Sequence, residues 1–437
     1  MTDRTRSTSR GPWTLSPAIV GAVVVGLICL VAAFVLSRLE PALVGAPLLL
    51  AAALGWDRRP ARTGPDAVEV EVLVRTDEER PASASTVAVA GSARTDARAD
   101  ALQVRIEPAD RPAFDAVLTP RAAEQLRVEV SAVHSGPQRL LGLAARVIGP
   151  DAAWVGAPGP EASVERVVRP PRIAVRSLPL PSRLLGLTGQ HVSSRPGDGG
   201  EFRDIDRFRP GDRLRRIDWR ATARAGQEGD LFVRRTTATS DAAIQLVLDA
   251  RDDVTGVVAD WPRPHPRAAA SSLDLAREAA AALARAYSAA GDRVGFDDAT
   301  AASRVVPARA GARHRERVLR AVERTRATGL ASDRVRPPRL APGALVYLLS
   351  TFLDDQPVDL ALAWRASGHR VIAVDVLPPR DSHELTVRER LALRTVEVER
   401  RLRLEQLAAS GAELVVWADP ADRAARLRRL ATPGRRR

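Results

Sequence analysis

Hydrophobic and polar positions divide the chain into stretches of different period. Residues 17–36 read PAIVGAVVVGLICLVAAFVL without a charge. At a rise of about 1.5 Å per residue, about 20 residues cover the roughly 30 Å hydrocarbon core of a bilayer, so this run predicts a membrane-spanning helix. The polar link SRLE separates it from a second apolar run at 41–56, which covers only about 24 Å as a helix and spans by thinning the bilayer or placing its ends in the interface. Arg4, Arg6 and Arg10 precede the pair and Arg58, Arg59 and Arg62 follow it, while the link carries Arg38 beside Glu40. The positive-inside bias then predicts a basic tail at 1–12, a transmembrane hairpin within 13–57 and multi-pass insertion in the cell membrane, with the bulk of the chain cytoplasmic. A signal peptide cleaved near 31–33 is the alternative, disfavoured because the apolar run exceeds the usual length of about 7 to 15 residues.

From 66 to 178 the period shortens to two: AVEVEVLVR from 67, STVAVAG from 85, LQVRIEP from 102, LRVEVSAV from 126 and LLGLAARVIG from 140. Alternation with Pro, Gly and Asp between the runs predicts a small antiparallel β-sandwich. The proline-rich stretch 169–183 reads as an extended connector, and 179–240 as linker plus a charged segment. Beyond 241 near-continuous apolar strands, at 242, 292, 344, 370 and 412, alternate with helical runs at 272–290, 312–326, 357–367, 385–409 and 421–430. Strands apolar on both faces need helices on both faces, which predicts a doubly wound α/β domain over 241–437. The fold class is therefore α/β: a helical hairpin, a β-sandwich, then a Rossmann-like domain whose ligand face is the carboxyl end of its strands.

Composition removes several chemistries. The single cysteine, Cys29, forms no intramolecular disulfide and no paired metal ligands. The 66 basic and 53 acidic residues give +13, yet every basic residue is arginine and acids are interspersed throughout, a solvated mixed surface that predicts no nucleic-acid partner. No GxGxxG opens a helix, no GxxxxGK(S/T) occurs in a chain without lysine, and no GxSxG is present. The histidines at 134, 191, 265, 314, 369 and 383 show no metal-ligand spacing and read as exposed or satisfied residues.

The densest chemistry lies at 200–224, GEFRDIDRFRPGDRLRRIDWRATAR. Asp204, Asp206, Asp212 and Asp218 interleave with eight arginines, Pro210-Gly211-Asp212 signals a turn, and Phe202, Ile205, Phe208, Leu214, Ile217 and Trp219 supply apolar anchors. Taken alone, this is a salt-bridged surface turn or, alternatively, a metal-dependent phosphodiester hydrolase whose carboxylates hold Mg²⁺. The segment resembles the signature of the domain-of-unknown-function 58 family through Gly200, Glu201, Phe202, Arg207, Phe208, Pro210, Gly211, Asp212, Arg216, Ile217, Asp218, Trp219, Thr222, Ala223 and Arg224. Phe208 stands where a tyrosine is common. The resemblance implies a von Willebrand factor A-like α/β domain and a non-enzymatic adaptor working with a MoxR-type AAA+ ATPase; an envelope-facing adhesion module is the remaining alternative.

Such a domain usually carries Asp-x-Ser-x-Ser for a divalent ion at the end of its first strand. Here the sequence is Asp249-Ala250-Arg251-Asp252-Asp253. Asp249 and Asp253 remain as possible ligands, but a guanidinium replaces one hydroxyl, and Thr351 stands where an aspartate is common, with Asp354 and Asp355 close behind. The expectation is a degenerate, unoccupied metal site in which Arg251 pairs with Asp249, Asp252 or Asp253 in place of Mg²⁺.

Overall fold

Alternation of period two is realised directly in the first half of the chain. The computed structural model describes residues 4–57, 68–76, 86–95, 99–132, 134–149, 152–159, 161–184, 189–225, 230–262, 269–299, 305–329 and 340–432. Two compact units emerge, Met1–Val133 with Pro137–Val168, and His134–Gly136 with Arg169–Arg437. In chain order the first contains β1 (Arg4–Gly11), β2 (Trp13–Leu15), α1 (Pro17–Leu36), α2 (Glu40–Asp57), β3 (Val68–Thr76), β4 (Thr86–Thr95), β5 (Ala101–Pro108), β6 (Phe114–Leu118), α3 (Pro120–Ala123), β7 (Leu126–Ser131), β8 (Gly136–Ile148), β9 (Trp154–Gly156) and β10 (Ala162–Val168). Its sheets run β1-β3-β4-β7 and β2-β9-β8-β5-β6, with β10 also on β8. Leu102, Val104 and Ile106 of β5 share one core with Val72, Val74, Val89, Val128 and Val130 of the opposite sheet, the every-second-residue burial of a sandwich.

Within the basic tail expected over 1–12, Arg4–Gly11 form a strand. β1 pairs antiparallel with β3 from Arg4↔Arg75 to Gly11↔Val68, and Trp13 begins a strand rather than a membrane helix. Ladder bonds are made by backbone groups, so an edge strand of polar residues carries no hydropathy signal. Ser16 then caps α1, its Oγ accepting from Ala18 N at 3.1 Å. The helical pair packs through small residues: a Cβ on Gly26 would lie 2.7 Å from Leu49 Cγ, and one on Gly45 2.8 Å from Cys29 Cβ. Among the described residues only α1 is long and apolar enough to cross a membrane. α2, the expected second span, falls short of that test: it is shorter, holds Pro47 and is bracketed by Glu40 and Asp57. Arg58, Arg59 and Arg62 lie outside the described residues.

The second unit contains β11 (His191–Arg207), α4 (Trp219–Ala225), β12 (Phe232–Ser240), β13 (Ala243–Leu248), α5 (Ser272–Ala289), β14 (Arg293–Asp298), β15 (Val306–Arg309), α6 (Ala312–Glu323), β16 (Leu345–Ser350), α7 (Gln356–Ala366), β17 (Arg370–Asp375), α8 (Val387–Ala409), β18 (Glu413–Val416) and α9 (Pro420–Ala431). β11 and β12 form a separate ribbon, and the main sheet runs β15-β14-β13-β16-β17-β18. Its neighbours are parallel except the edge pair β14–β15. One face packs Leu246, Leu248, Tyr347 and Ile372 against α5, α6 and α9. The other packs Val247, Val346, Leu348 and Val371 against α7 and α8.

The 169–183 stretch also departs from its reading as a connector. It has no ladder, yet Ile173, Val175, Leu178, Leu180 and Leu184 pack on the main core, and the buried Tyr287 hydroxyl donates to Pro179 O at 2.5 Å. The first unit therefore closes at Val168 rather than at 178. Prolines break the period that would have revealed a packed strap.

Candidate functional site

β13 ends at Leu248, and Asp249 N donates to Leu349 O at 2.8 Å, prolonging the ladder by one residue. Asp249 Oδ1 accepts from Arg251 Nε and Oδ2 from Arg251 Nη2, both at 2.9 Å, while Ser350 Oγ donates to Oδ2 at 2.8 Å. Arg251 Nη2 donates also to Asp354 Oδ1 at 2.9 Å. Asp249 and Arg251 are 7% and 5% exposed. Burial opposes the guanidinium charge, but the hydrogen bonds and charges of Asp249 and Asp354 outweigh it and raise the Arg251 pKa. Burial, then the charges of Asp249 and Asp354, push the Asp252 carboxyl up.

The expected ligands separate. Asp249 is in the cluster, whereas Asp253 turns to the start of α5, where its Oδ1 accepts from Leu273 N at 3.3 Å. First-turn amides lack helical partners and draw such acceptors. Asp355 likewise pairs outward with Arg403. With a fixed cation bonded to Asp249 and Asp354, these residues do not fit a divalent ion; like charges at that distance repel.

Beside this end of the sheet, Ser271 and Asp274 form a capping box on α5. Asp274 Oδ1 also accepts from Ser135 N and Oγ at 2.6 and 2.8 Å, and His134 Nδ1 lies 2.7 Å from Asp274 Oδ2. The bond to Asp274 raises the His134 pKa. Burial works against the Asp274 charge, but the His134 contact and the Ser271 and Ser135 backbone bonds lower its pKa. The spacing Ser271-x-x-Asp274 carries a capping signal; nothing local marks residues 134–135 as its partners. Among the other histidines, His191 meets Asp292, and His314 and His369 meet backbone carbonyls. His265 and the rest of 263–268 lie outside the described residues.

The charged segment forms the ribbon and the turn beyond it. Arg235 joins Asp206 and Asp212, and Arg207 pairs with Asp230 at 3.3 Å. Asp212 Oδ2 accepts from Arg209 N at 2.9 Å across a turn in which Gly211 has φ +103°, a conformation suited to glycine after Pro210. Asp218 Oδ1 accepts from Arg220 N and Ala221 N at 3.1 and 3.0 Å, capping α4, and Thr222 Oγ1 accepts from Phe232 N at 3.0 Å. Arg216 closes the short 3-10 turn Leu214–Arg216. Glu201 and Arg224 are exposed, and Arg234 stands 5.1 Å over the Phe202 ring.

The segment's carboxylates thus bind backbone and arginine rather than converging. Four proposed apolar anchors do not anchor: Phe202, Ile205, Leu214 and Trp219 are exposed, the last two at 69% and 68%. Phe202 and Ile205 stand on the two-stranded ribbon opposite Thr236 and Arg234, Leu214 and Trp219 stand at the turn beyond it, and Ile217 forms a bridge with Val233. A second exposed row, Val387, Leu391, Val398 and Leu402, runs along α8, whose inward side holds Leu404 and Leu407 on the core.

Residues 204–410 match the family described as "Protein of unknown function DUF58". The DUF58 match takes in the last four residues of β11, all of β12, the strand-end cluster and α8. Over 206 residues the chain is 32% identical to uncharacterized proteins of Mycobacterium bovis and of two Mycobacterium tuberculosis strains, covering 45% of this chain and 60% of each relative. The chain therefore spans about three fifths of the length of these curated relatives. No solved structure matches it.

Proposed function

We propose that this chain is a membrane-anchored, non-enzymatic interaction protein whose second unit docks a protein partner, an AAA+ ATPase of the MoxR type. The observation that carries the reading is the exposure of Leu214 and Trp219 on an arginine-rich turn. Large apolar side chains grouped within a polar rim are the usual anatomy of a binding surface, and tryptophan is a favoured anchor. Asp206, Asp212 and Asp218 are engaged by arginine or backbone, which supports binding over metal-dependent hydrolysis. The strand order, read from the first parallel strand as 3-2-1-4-5-6 with an antiparallel edge, supports the von Willebrand factor A-like reading. The ATPase comes from the family resemblance.

α1 supplies the anchor. Because β1 precedes α1 and β3 follows α2 in one ladder, the two flanking segments lie on one side of the helical pair. If α1 crosses, α2 must return, which supports paired insertion despite the weaker hydropathy of α2. Trp56 and Trp154 lie 6.2 Å apart, and Trp154 Nε1 donates to Gly55 O at 3.0 Å; tryptophans at one end of a helical pair suit a headgroup level. The basic residues Arg4, Arg6 and Arg10 before α1 support a cytoplasmic location for both ends.

Affinity capture from native membranes with the full chain as bait tests the docking reading. Recovery of an AAA+ ATPase, reduced at least about tenfold by Leu214→Ala with Trp219→Ala, is the expected result. Equal recovery by the double variant contradicts it. So does Mn²⁺-dependent cleavage of nucleic acid by the purified chain that is lost in Asp212→Ala and Asp218→Ala.

A further inference from the structure

We infer that Arg251 is the built-in cation of the strand-end site: its guanidinium takes the position between β13 and β16 that an oxygen-seeking divalent ion would take, so the native site is metal-independent and removal of that side chain creates a metal site. The side chains bonded to the guanidinium or to its partner carboxylate offer oxygen alone, the Asp249 and Asp354 carboxylates and the Ser350 hydroxyl, while the Arg251 and Gln356 amides donate to Asp249 Oδ1 and Asp354 Oδ1 at 3.3 and 3.0 Å. Oxygen-only shells suit Mg²⁺ or Mn²⁺. The planar fork is better matched than a metal to Asp249, since Nε and Nη2 reach its two oxygens in parallel at 2.9 Å each. One positive charge bonds two carboxylates, with Asp252 next to them and held by Thr351 Oγ1 at 3.3 Å. The local sum is negative, and without the guanidinium it becomes more so.

Among the described residues no three of His, Cys, Asp and Glu converge to hold a metal. Asp249 Oδ2 and Asp354 Oδ1 accept from the same Nη2 at 2.9 Å each, so an ion replacing it meets two carboxylates and keeps water in the rest of its shell, as Mg²⁺ commonly does. This inference is independent of the docking reading, because it concerns charge inside one cluster and not what binds outside it.

Thermal unfolding of the purified full chain in detergent, with and without millimolar MnCl₂, tests it together with Mn²⁺ binding by electron paramagnetic resonance. The wild type is expected to show neither a shift nor binding. Arg251→Ser is expected to unfold several degrees lower, to recover part of that loss with Mn²⁺ and to bind the ion, and Asp249→Asn added to it abolishes both effects. Should Arg251→Ser fold only when cells are grown with Mn²⁺, the inference is equally supported. A variant whose yield, unfolding and spectrum are all indifferent to Mn²⁺ overturns it, as does wild-type binding that Asp249→Asn removes.

Discussion

At the residue scale the strand-end cluster is governed by a buried charge and its partners. Removing one member of such a pair leaves the other unpaired in a poor solvent, so Arg251→Ala is expected to destabilise the second unit by about 3–5 kcal/mol, measured by denaturant unfolding. An effect below about 1 kcal/mol would mean that water already reaches Asp249. The His134–Asp274 contact makes a pH-dependent prediction. A raised histidine pKa stabilises most below the unfolded value of about 6.5 and loses its contribution as pH rises through the folded value. A lowered aspartate pKa stabilises above about 3.9 and fades as pH falls through its own folded value. The destabilisation caused by His134→Ala should therefore be largest near about pH 5 to 6 and shrink on either side; a difference that grows toward alkaline pH contradicts the contact. Arg251 was legible as an ion-pairing residue because its three carboxylate neighbours are adjacent in sequence. Asp354 as its second acceptor required β16 to be placed beside β13. Residues 134–135 are about 140 positions from Asp274, and no local pattern encodes that meeting.

At the element scale the β1–β3 ladder fixes the geometry of the helical pair. Ser7 and Val72 are opposed in register, and directly paired strand residues come within disulfide reach. In a Cys29→Ala background, Ser7→Cys with Val72→Cys should oxidise to an intramolecular disulfide in native membranes, seen as a mobility shift reversed by reductant. If these positions cannot be joined, the two ends of the pair are not held together. For α4, Asp218→Ala removes the acceptor for two first-turn amides and should cost about 0.5–2 kcal/mol, more than Glu201→Ala at an exposed position, in thermal unfolding. Strong periodicity made the main strands and helices readable: five apolar strands and five helical runs lie where the pattern put them, to within a few residues. What periodicity missed were elements held by backbone or by neighbours, namely polar β1, the short edge strand β15 and the proline-broken strap at 169–184.

At the scale of the whole molecule, the proposed tethered docking rests on one helix long and apolar enough to cross a membrane and on an α/β unit with exposed Leu214 and Trp219. The signature residues were legible in the sequence, but its apolar positions were read as anchors, and only their exposure in the fold separates Leu214 and Trp219 from anchoring side chains. Orientation is tested by a cysteine placed near residue 312 in the Cys29→Ala background: an impermeant thiol reagent should leave it unlabelled in intact cells and modify it after lysis, and labelling of intact cells would favour the envelope-facing alternative. The docking claim itself meets its most direct test in site-specific photo-crosslinking in living cells, with a photoreactive amino acid at position 214 and, as a control, at exposed Val117 of the first unit. An adduct containing an AAA+ ATPase from position 214, and none from 117, is the predicted result. No ATPase adduct at 214, or adducts of equal yield at both positions, would contradict the account.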